Sequence, residues 1–395
     1  MDYGKVLNRT LASLPPSGIR RFFDIANEVK ADDMISLSIG EPDFATPWHI
    51  REKGIATLEQ GKTWYSANAG LLELRQAIAR RIARQSGVEF DPQTEVIVTV
   101  GGSEALDIGI RALVNPGDEV LVPSPSFVCY APLVSMAGGV PISIVTKAQN
   151  GFRLTAEELR EAITPRTKLL ILPFPNNPTG AVMRREHLEA IADVLRDTDI
   201  MVISDEIYGA LTYGDAPHVS AVEIDGLSER TLLVDGFSKA YAMTGWRLGF
   251  ICGPEPVMKQ VVKLHQYAIM CAPTTAQYAA IEAMENGDDD VAEMRADYDA
   301  RRRLILNELN SMGLTCFEPE GAFYVFPSIQ ISGLSSEEFC EKLLHRHHVA
   351  IVPGTAFGEG GEGFARISYC YSVGHIMEAM KRMRHFLDEL KEGKV

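Results

Sequence analysis

Between residues 72 and 267 the sequence alternates short apolar, β-branched runs with stretches of helical periodicity. The apolar runs occupy residues 96–100, 120–122, 142–145, 169–172, 201–204, 232–235 and 248–252. The helical stretches occupy residues 72–84, 103–113, 184–195 and 256–267. Strands that alternate with helices are typical of an α/β fold, in which helices cover both faces of a mostly parallel sheet. In such a sheet the ligand binds beyond the carboxyl ends of the strands, so functional side chains are expected there.

The chain has 395 residues, more than a single hydrophobic core usually serves, so we expect two domains. After about residue 280 the pattern changes to a charged helical stretch at 289–312, followed by short strands and a last helix from about Gly374. The short strands are predicted at residues 315–317, 323–326, 349–352 and 365–369. This texture predicts a large domain over residues 46–280 and a smaller α+β domain over residues 281–395.

The first 45 residues form a separate segment in this interpretation. They are punctuated by proline and glycine to about Gly18, which indicates irregular structure, and a helix is predicted from about Arg20. Residues 34–39 have the composition of an extended piece. We expect this piece to pair with the smaller domain, which would make that domain discontinuous.

The composition excludes several classes of protein. A net charge of −15 repels nucleic acid and anionic membranes, so neither is expected as a partner. The sequence has no apolar stretch of about 18 residues and no pattern of a signal peptide at its start. None of the six cysteines has CxxC spacing, which argues against a zinc site or a redox pair and fits a reducing cytoplasm. We therefore expect a cytoplasmic protein without a bound metal.

Four short segments follow predicted strand ends and could meet at one edge of the sheet. Gly102 and Ser103 open a helix, whose free N–H groups and positive dipole end attract anions. Asp205 follows a strand directly, and Asn177 lies in a turn after another strand. Lys239 follows a third strand among small and apolar residues, where desolvation would lower its pKa and make it reactive. Taken singly, these residues could equally be a helix cap, a salt-bridge partner or a plain turn.

Together the four segments supply what pyridoxal phosphate requires of a protein. Its aldehyde needs an amine, its phosphate needs a helix start and an arginine such as Arg247, and its ring nitrogen needs an acid. In order and spacing the segments resemble the class I/II aminotransferases, the aspartate-aminotransferase-like family of pyridoxal-phosphate enzymes. The resemblance covers nearly the whole chain, and the string SKAYAMTGWRLG at residues 238–249 is its most specific part. Further matching strings are IGEPDF at 39–44, YSANAG at 65–70, GAFY at 321–324 and RISY at 366–369.

The resemblance implies fold type I of the pyridoxal-phosphate enzymes and assigns a role to particular residues. Lys239 would hold the cofactor as a Schiff base and move the proton of the substrate α-carbon. Asp205 would pair with the protonated ring nitrogen, and Tyr208 and Asn177 would hydrogen-bond the phenolic oxygen of the ring. Phe127 would stack on the ring face. The phosphate would be held by Gly102, Ser103, Ser238 and Arg247.

The same resemblance predicts how substrate and subunits are arranged. Arg366 would clamp the substrate α-carboxylate bidentately, and Gly40 would contact the substrate through its backbone. Ile19 would touch the substrate side chain as part of an apolar lid. Tyr65 would reach the phosphate of the neighbouring subunit, so a homodimer with shared active sites is expected. The predicted reaction transfers an amino group between an L-amino acid and a 2-oxo acid, with 2-oxoglutarate as acceptor, in a ping-pong cycle.

Other functions are compatible with parts of the pattern. A lyase or synthase on the same scaffold would use the same cofactor. A regulator that keeps such a domain as a sensor would need a DNA-binding region, for which the charge is unsuitable. The donor stays open among aspartate, aromatic, alanine-type and N-acyl-diaminopimelate substrates. Glu104 stands where some aspartate-using relatives carry a basic group, which weakens the aspartate assignment.

Two further patterns have plainer interpretations than a ligand site. Residues 358–363 match the spacing G-x-G-x-x-G, but the motif precedes a predicted strand and carries two carboxylates, so we interpret it as a loop. Three histidines, at 345, 347 and 348, cannot all lie on one face of a helix, so we expect them to be exposed to solvent rather than bound to a metal.

Overall fold

The computed structural model describes residues 1–394 except 20, 21, 23, 24, 26–28, 30, 32, 215 and 216. Its largest sheet has seven strands: β2 (Val96–Thr99), β3 (Glu119–Ser124), β4 (Val140–Val145), β5 (Thr167–Leu172), β6 (Met201–Asp205), β7 (Thr231–Gly236) and β8 (Gly249–Cys252). Their order across the sheet is β2-β8-β7-β6-β5-β3-β4. All neighbours are parallel except β8, which is antiparallel to both β2 and β7. All seven predicted strands and the mostly parallel sheet are confirmed.

Helices cover both faces of this sheet, because β5, β6 and β7 are buried on both sides and need an apolar cover on each. The helices are α1 (Arg9–Ser13), α2 (Trp48–Glu59), α3 (Leu72–Ser86), α4 (Gly102–Leu113), α5 (Tyr130–Met136), α6 (Ala156–Ala162), α7 (Arg185–Leu195), α8 (Glu255–Ala268), α9 (Thr274–Asn286), α10 (Asp288–Ser311), α11 (Ser336–His347) and α12 (Val373–Lys391). Helices α4 and α8 pack on one face with the apolar side chains of Ile203 and Val234, whereas α3 and α9 share a core with Leu233 on the other. None of the described helices combines the length and the apolar character that a membrane span requires.

The C-terminal part contains two small sheets. One joins β1 (Ile35–Ser36) in parallel to β10 (Val349–Ala350), so the extended N-terminal piece pairs with the C-terminal part as expected. The other joins β9 (Tyr324–Val325), β12 (Ala365–Ser368) and β11 (Val352–Pro353) in antiparallel order. The domain boundaries at residues 45 and 280 stay a prediction.

Four local predictions were wrong or fall outside the described residues. The segment predicted to be irregular to about Gly18 contains the helix α1 (Arg9–Ser13), because the side chain of Asn8 caps it by accepting the N–H of Leu11. The strand predicted at 349–352 is two strands, because the chain leaves one sheet after Ala350 and joins the other at Val352. No strand forms at 315–317, where the only pairing is an isolated bridge at Cys316. The helix predicted from about Arg20 lies mostly on residues that the structure does not describe.

Candidate active site

A cavity of about 280 Å³ opens at the carboxyl ends of β5, β6 and β7. It brings together all but one of the site residues predicted from the sequence: Ile19, Gly40, Gly102, Ser103, Phe127, Asn177, Asp205, Tyr208, Ser238, Lys239, Arg247 and Arg366. Tyr65 is the exception, because its side chain is on the surface and is 77% exposed. The rule that places ligands beyond the strand ends of an open sheet therefore located the cavity correctly.

Lys239 lies in the turn that follows β7, with its amine inside the cavity. Its Nζ donates a hydrogen bond of 2.8 Å to the carbonyl oxygen of Gly40. No carboxylate of the described residues forms an ion pair with it, and burial lowers the pKa of Lys239 to about 8. An amine with this pKa is partly neutral near physiological pH, which makes it a usable nucleophile and base.

Asp205 ends β6 and is buried at the inner wall of the cavity. Its Oδ2 accepts a hydrogen bond of 2.8 Å from the hydroxyl of Tyr130, and its Oδ1 accepts one of 3.3 Å from the backbone N–H of Ile207. Burial raises the pKa of Asp205 to about 6, although both hydrogen bonds act in the opposite direction. A buried carboxylate of this kind is stabilised by a positive group placed against it.

The turn between β2 and α4 forms an anion cradle. Gly101 has a φ of +79°, and a Cβ atom there would lie 2.8 Å from a terminal guanidinium nitrogen of Arg247, so glycine is required at this position. Gly102 begins α4, and Ser103 follows it at the cavity wall. Arg247 donates to the carbonyl oxygen of Thr244 at 3.1 Å and has no ion pair among the described residues. Free helix N–H groups next to an unpaired guanidinium are suited to a phosphate.

Arg366 is a buried cation on β12, with only 2% of its surface exposed. One terminal nitrogen donates to Oδ1 of Asn177 at 3.0 Å, and the other donates to the carbonyl oxygen of Ser38. Its guanidinium lies 4.5 Å from the ring centre of Tyr324. No carboxylate in the described part of the chain pairs with Arg366, and its Nε has no hydrogen-bond partner. Because a buried charge without a counterion is costly, the arrangement is suited to an external carboxylate.

Two tyrosines of the site were not among the predicted residues. The hydroxyl of Tyr324 lies 2.9 Å from that of Tyr208, and a Cβ atom on Gly40 would lie 1.9 Å from it. Gly40 is therefore a glycine because the tyrosine passes directly against it. The other is Tyr130, the first residue of α5. Its position three residues after Phe127, with which it makes an edge-to-face contact, was the available sequence signal.

The two patterns that were set aside lie outside the cavity. Residues 358–363 form a loop before β12, as expected. The three histidines do not converge: His345 is exposed, His347 pairs with Glu389 at 3.0 Å, and His348 pairs with Asp33 at 2.6 Å. The expectation of exposure was wrong for His347, whose side chain is 9% exposed because it packs against α12.

The donor set of the cavity fits pyridoxal phosphate. It contains one reactive amine in Lys239, one buried carboxylate in Asp205 that lacks a cation, and an anion cradle with an unpaired arginine at Arg247. These are the three groups that the aldehyde, the ring nitrogen and the phosphate of this cofactor need.

Comparisons with known proteins agree with this chemistry. The sequence profile of the family described as aminotransferase class I and II matches residues 32–383. The chain is 48% identical to an aspartate aminotransferase of Pyrococcus abyssi, over 95% of this chain and 97% of that one. It is 45% identical to aromatic-amino-acid aminotransferase 2 of Thermococcus litoralis, over 98% and 99% of the two chains. The solved structure of the aspartate aminotransferase of Thermus thermophilus with maleate matches with a TM-score of 0.91 at 40% identity, over 96% and 99%. The chain therefore belongs to the class I and II aminotransferases, pyridoxal-phosphate enzymes of fold type I that move an amino group between an amino acid and a 2-oxo acid.

Proposed function

We propose that the cavity residues hold cofactor and substrate in the roles that their positions favour. When bound, pyridoxal phosphate supplies an aldehyde that condenses with amines and a pyridinium ring that withdraws electrons from the substrate α-carbon. Lys239 removes and returns the α-proton at its Nζ, for which a pKa of about 8 is suitable. Asp205 keeps the ring nitrogen protonated, and Tyr208 and Asn177 donate hydrogen bonds to the phenolic oxygen.

The remaining cavity residues bind the cofactor and the substrate and orient them. Gly102, Ser103, Ser238 and Arg247 line the part of the cavity that we assign to the phosphate. Phe127 covers the ring face, and Gly40 contacts the substrate through its backbone. Arg366 binds the α-carboxylate, and it can do so bidentately because its planar fork is held by Asn177 and Ser38. The observation that carries the proposal is the desolvated amine of Lys239, which has no ion pair with any described residue and faces the same cavity as the uncompensated Arg366.

The preferred donor follows from the charges of the cavity. Its cationic lining residues are Lys239, Arg247 and Arg366, and all three already have a role. A dicarboxylic substrate needs a further cation for its second carboxylate, and a partner subunit that supplied one would serve 2-oxoglutarate and aspartate alike, so the charges do not favour aspartate over other donors. Ile19, which also packs against the apolar core, lies at the substrate end. We therefore propose that the enzyme uses an aromatic or aliphatic amino acid as donor at least as readily as aspartate. 2-Oxoglutarate is the acceptor, and the two half-reactions alternate in one cavity.

We propose that the working form is a homodimer with shared sites. Large exposed apolar side chains stand next to Tyr65 in two neighbouring segments: Trp64 (61% exposed) in one, and Tyr267 (88%), Ile269 (44%) and Met270 (45%) in the other. Two hydrogen bonds join the two segments, from Asn68 to the carbonyl oxygen of Met270 and from Thr274 to that of Trp64, both at 2.8 Å. An exposed apolar patch that is built in this way marks an interface. A two-fold axis through it would bring Tyr65 to the partner's cavity.

The enzyme is proposed to work in the cytoplasm. All six cysteines are free thiols, and burial raises the pKa of five of them, which fits a reducing compartment.

The experiment that tests the proposed function compares Lys239→Ala with Lys263→Ala. Lys263 is exposed on α8, and Gln260 is its only polar contact in the part of the chain that the structure describes. The first variant should lose both the visible absorbance of covalently held cofactor and transamination, and the second should keep both. Amino acid added without oxo acid should yield about one equivalent of 2-oxo acid per active site and then stop. Continued release of product under these conditions would identify a lyase or synthase instead.

A further inference from the structure

A second cavity, of about 320 Å³, lies on the far side of the large sheet. Asp205 ends β6 and lines the active site, whereas Glu206, which follows it and still donates its N–H to the carbonyl oxygen of Val234 on β7, lines the second cavity. On β7, Leu233 and Asp235 both line the second cavity. Because consecutive residues of a strand point to opposite faces, the two cavities are separated by the sheet. They nevertheless share the strands that carry Asp205 and lead to Lys239.

Two buried polar groups of this cavity have no partner. The hydroxyl of Tyr241 makes no hydrogen bond in the described structure, although the residue is only 1% exposed. Nδ1 of His218 also lacks a partner, whereas its Nε2 pairs with Glu206 at 2.7 Å. Buried polar groups in folded proteins are as a rule hydrogen-bonded, so each exception needs an explanation. A ligand in the cavity supplies one.

The cavity also contains an acid without a counterion. Oδ1 of Asp235 accepts the backbone N–H of Gly236 at 2.7 Å, and no cation of the described residues lies within ion-pair distance of Asp235. Burial raises the pKa of Asp235 to about 7. Glu206 differs, because it is satisfied by Ser204, Ser220, the N–H of Ala221 and His218. Asp235 is therefore the acidic group of the cavity that is available to a ligand.

Positive and apolar groups complete the lining. Arg295 is exposed and has no acidic partner in the described part of the chain, so it forms the positive rim of the cavity. The guanidinium of Arg81 lies 5.5 Å from the ring centre of Tyr241, and it pairs with Asp288. Ile82 and Met284 supply apolar wall. The cavity therefore offers an inner acceptor, an outer cation and an apolar surface between them.

We propose that this second cavity binds a free amino acid with an apolar side chain. Its ammonium group would lie against Asp235 and the hydroxyl of Tyr241, and its carboxylate would face Arg295. The volume lies at the lower end of the range of about 300–1,000 Å³ that is typical of small-molecule sites. This ligand belongs to the same chemical class as the donor, but none of the groups that bind it has a role in the active site.

The test measures binding of α-methyl-L-leucine, which has no α-proton and cannot be transaminated. It is titrated calorimetrically into cofactor-loaded enzyme and into an Arg366→Ala variant, in which the active site is impaired. The visible absorbance of the cofactor reports active-site occupancy independently. We expect two binding events per chain in the wild type and one in Arg366→Ala, with no change in absorbance for the latter.

Variants of the second cavity decide the outcome. In the Arg366→Ala background, Asp235→Asn should weaken the remaining event at least about 10-fold, because it removes a charge-assisted hydrogen bond, and Tyr241→Phe should weaken it by a smaller factor. The exposed acid Asp225 provides the control, since Asp225→Asn should bind as before. The inference is overturned if no event remains in Arg366→Ala, or if the event survives Asp235→Asn unchanged. A change in cofactor absorbance that persists in Arg366→Ala would instead count against the role of Arg366 in the proposed function.

Discussion

The hydroxyl of Tyr130 donates a hydrogen bond of 2.8 Å to Oδ2 of Asp205, and both side chains are buried. This bond favours the ionised carboxylate, whereas burial of Asp205 favours the neutral acid. The ionised form is the one that can hold a proton on the cofactor ring. Tyr130 is thus a positioning residue, which acts through Asp205 rather than on the substrate.

Removal of this hydroxyl should make the enzyme more sensitive to acid. In Tyr130→Phe the pKa of Asp205 should rise, because a hydrogen bond that lowers it is lost. The acidic limb of the kcat profile should move to higher pH, and the affinity for the cofactor should fall ~10-fold, the scale of one hydrogen bond to a charged group. A Tyr130→Phe enzyme with an unshifted acidic limb would show that the tyrosine only fills space.

The contact between Tyr130 and Asp205 also shows what the sequence could not predict. Strand ends and their order are local features, so Asp205, Lys239 and the Gly102 turn could be placed from apolar runs and spacing. Tyr130 lies in a helix of only seven residues, which the periodicity of the sequence did not predict. Its partner Asp205 is 75 residues away in the chain. Which short elements meet depends on tertiary packing, and the same reason explains why the chain switches sheets between Ala350 and Val352.

Arg366→Lys should weaken binding of the amino acid although the positive charge is kept. A lysine cannot form two parallel hydrogen bonds with a carboxylate, and it would leave Oδ1 of Asn177 or the carbonyl oxygen of Ser38 without a donor. We expect the substrate concentration at half-saturation of the first half-reaction to rise ~10- to 100-fold, with a smaller change in the limiting rate. Unchanged saturation of the half-reaction would refute the assignment of the carboxylate.

The desolvated amine of Lys239 should affect the stability of the cofactor-free protein. Burial lowers its pKa from 10.5 to about 8, so between these values the unfolded chain binds more protons than the folded one. The free energy of unfolding should therefore rise with pH across this window, and below pH 8 the full penalty applies. Relative to Lys239→Met, the wild type should gain up to about 3 kcal/mol between pH 8 and 10.5. Denaturant titrations at several pH values measure this difference, whereas the difference in free energy of unfolding between the wild type and Lys263→Met, a change at an exposed site, should stay constant with pH.

Ile19 should influence the choice of donor. It lines the active-site cavity and packs against the neighbouring apolar core, so its truncation enlarges the substrate end without removing a polar contact. Ile19→Ala should change the ratio of kcat/KM between an aromatic and a small aliphatic donor by ~10-fold, the scale of a few methylene groups in an apolar pocket. If kcat/KM changed by the same factor for every donor, Ile19 would have a structural role only.

The last prediction concerns the shared active site. Tyr65 is 77% exposed and lies outside its own chain's cavity, within the apolar surface formed by residues 64–65 and 267–270. If the partner's cavity receives this side chain, each site uses Tyr65 from one chain and Lys239 from the other. Mixing Lys239→Ala with Tyr65→Ala should then create a heterodimer with two different sites. One site lacks both Lys239 and Tyr65, and the other has both residues. Activity should rise above that of either parent.

A matched mixture controls this complementation experiment. When Lys239→Ala is mixed with a double variant that carries Tyr65→Ala and Arg247→Ala, the site that holds the intact Lys239 still lacks the arginine of its anion cradle. Mixing should therefore restore nothing, because neither site of the heterodimer is complete. The formation of heterodimers has to be verified in both mixtures, for example with two different affinity tags. If verified heterodimers of the first mixture are no more active than their parents, Tyr65 serves its own subunit and the shared site is wrong.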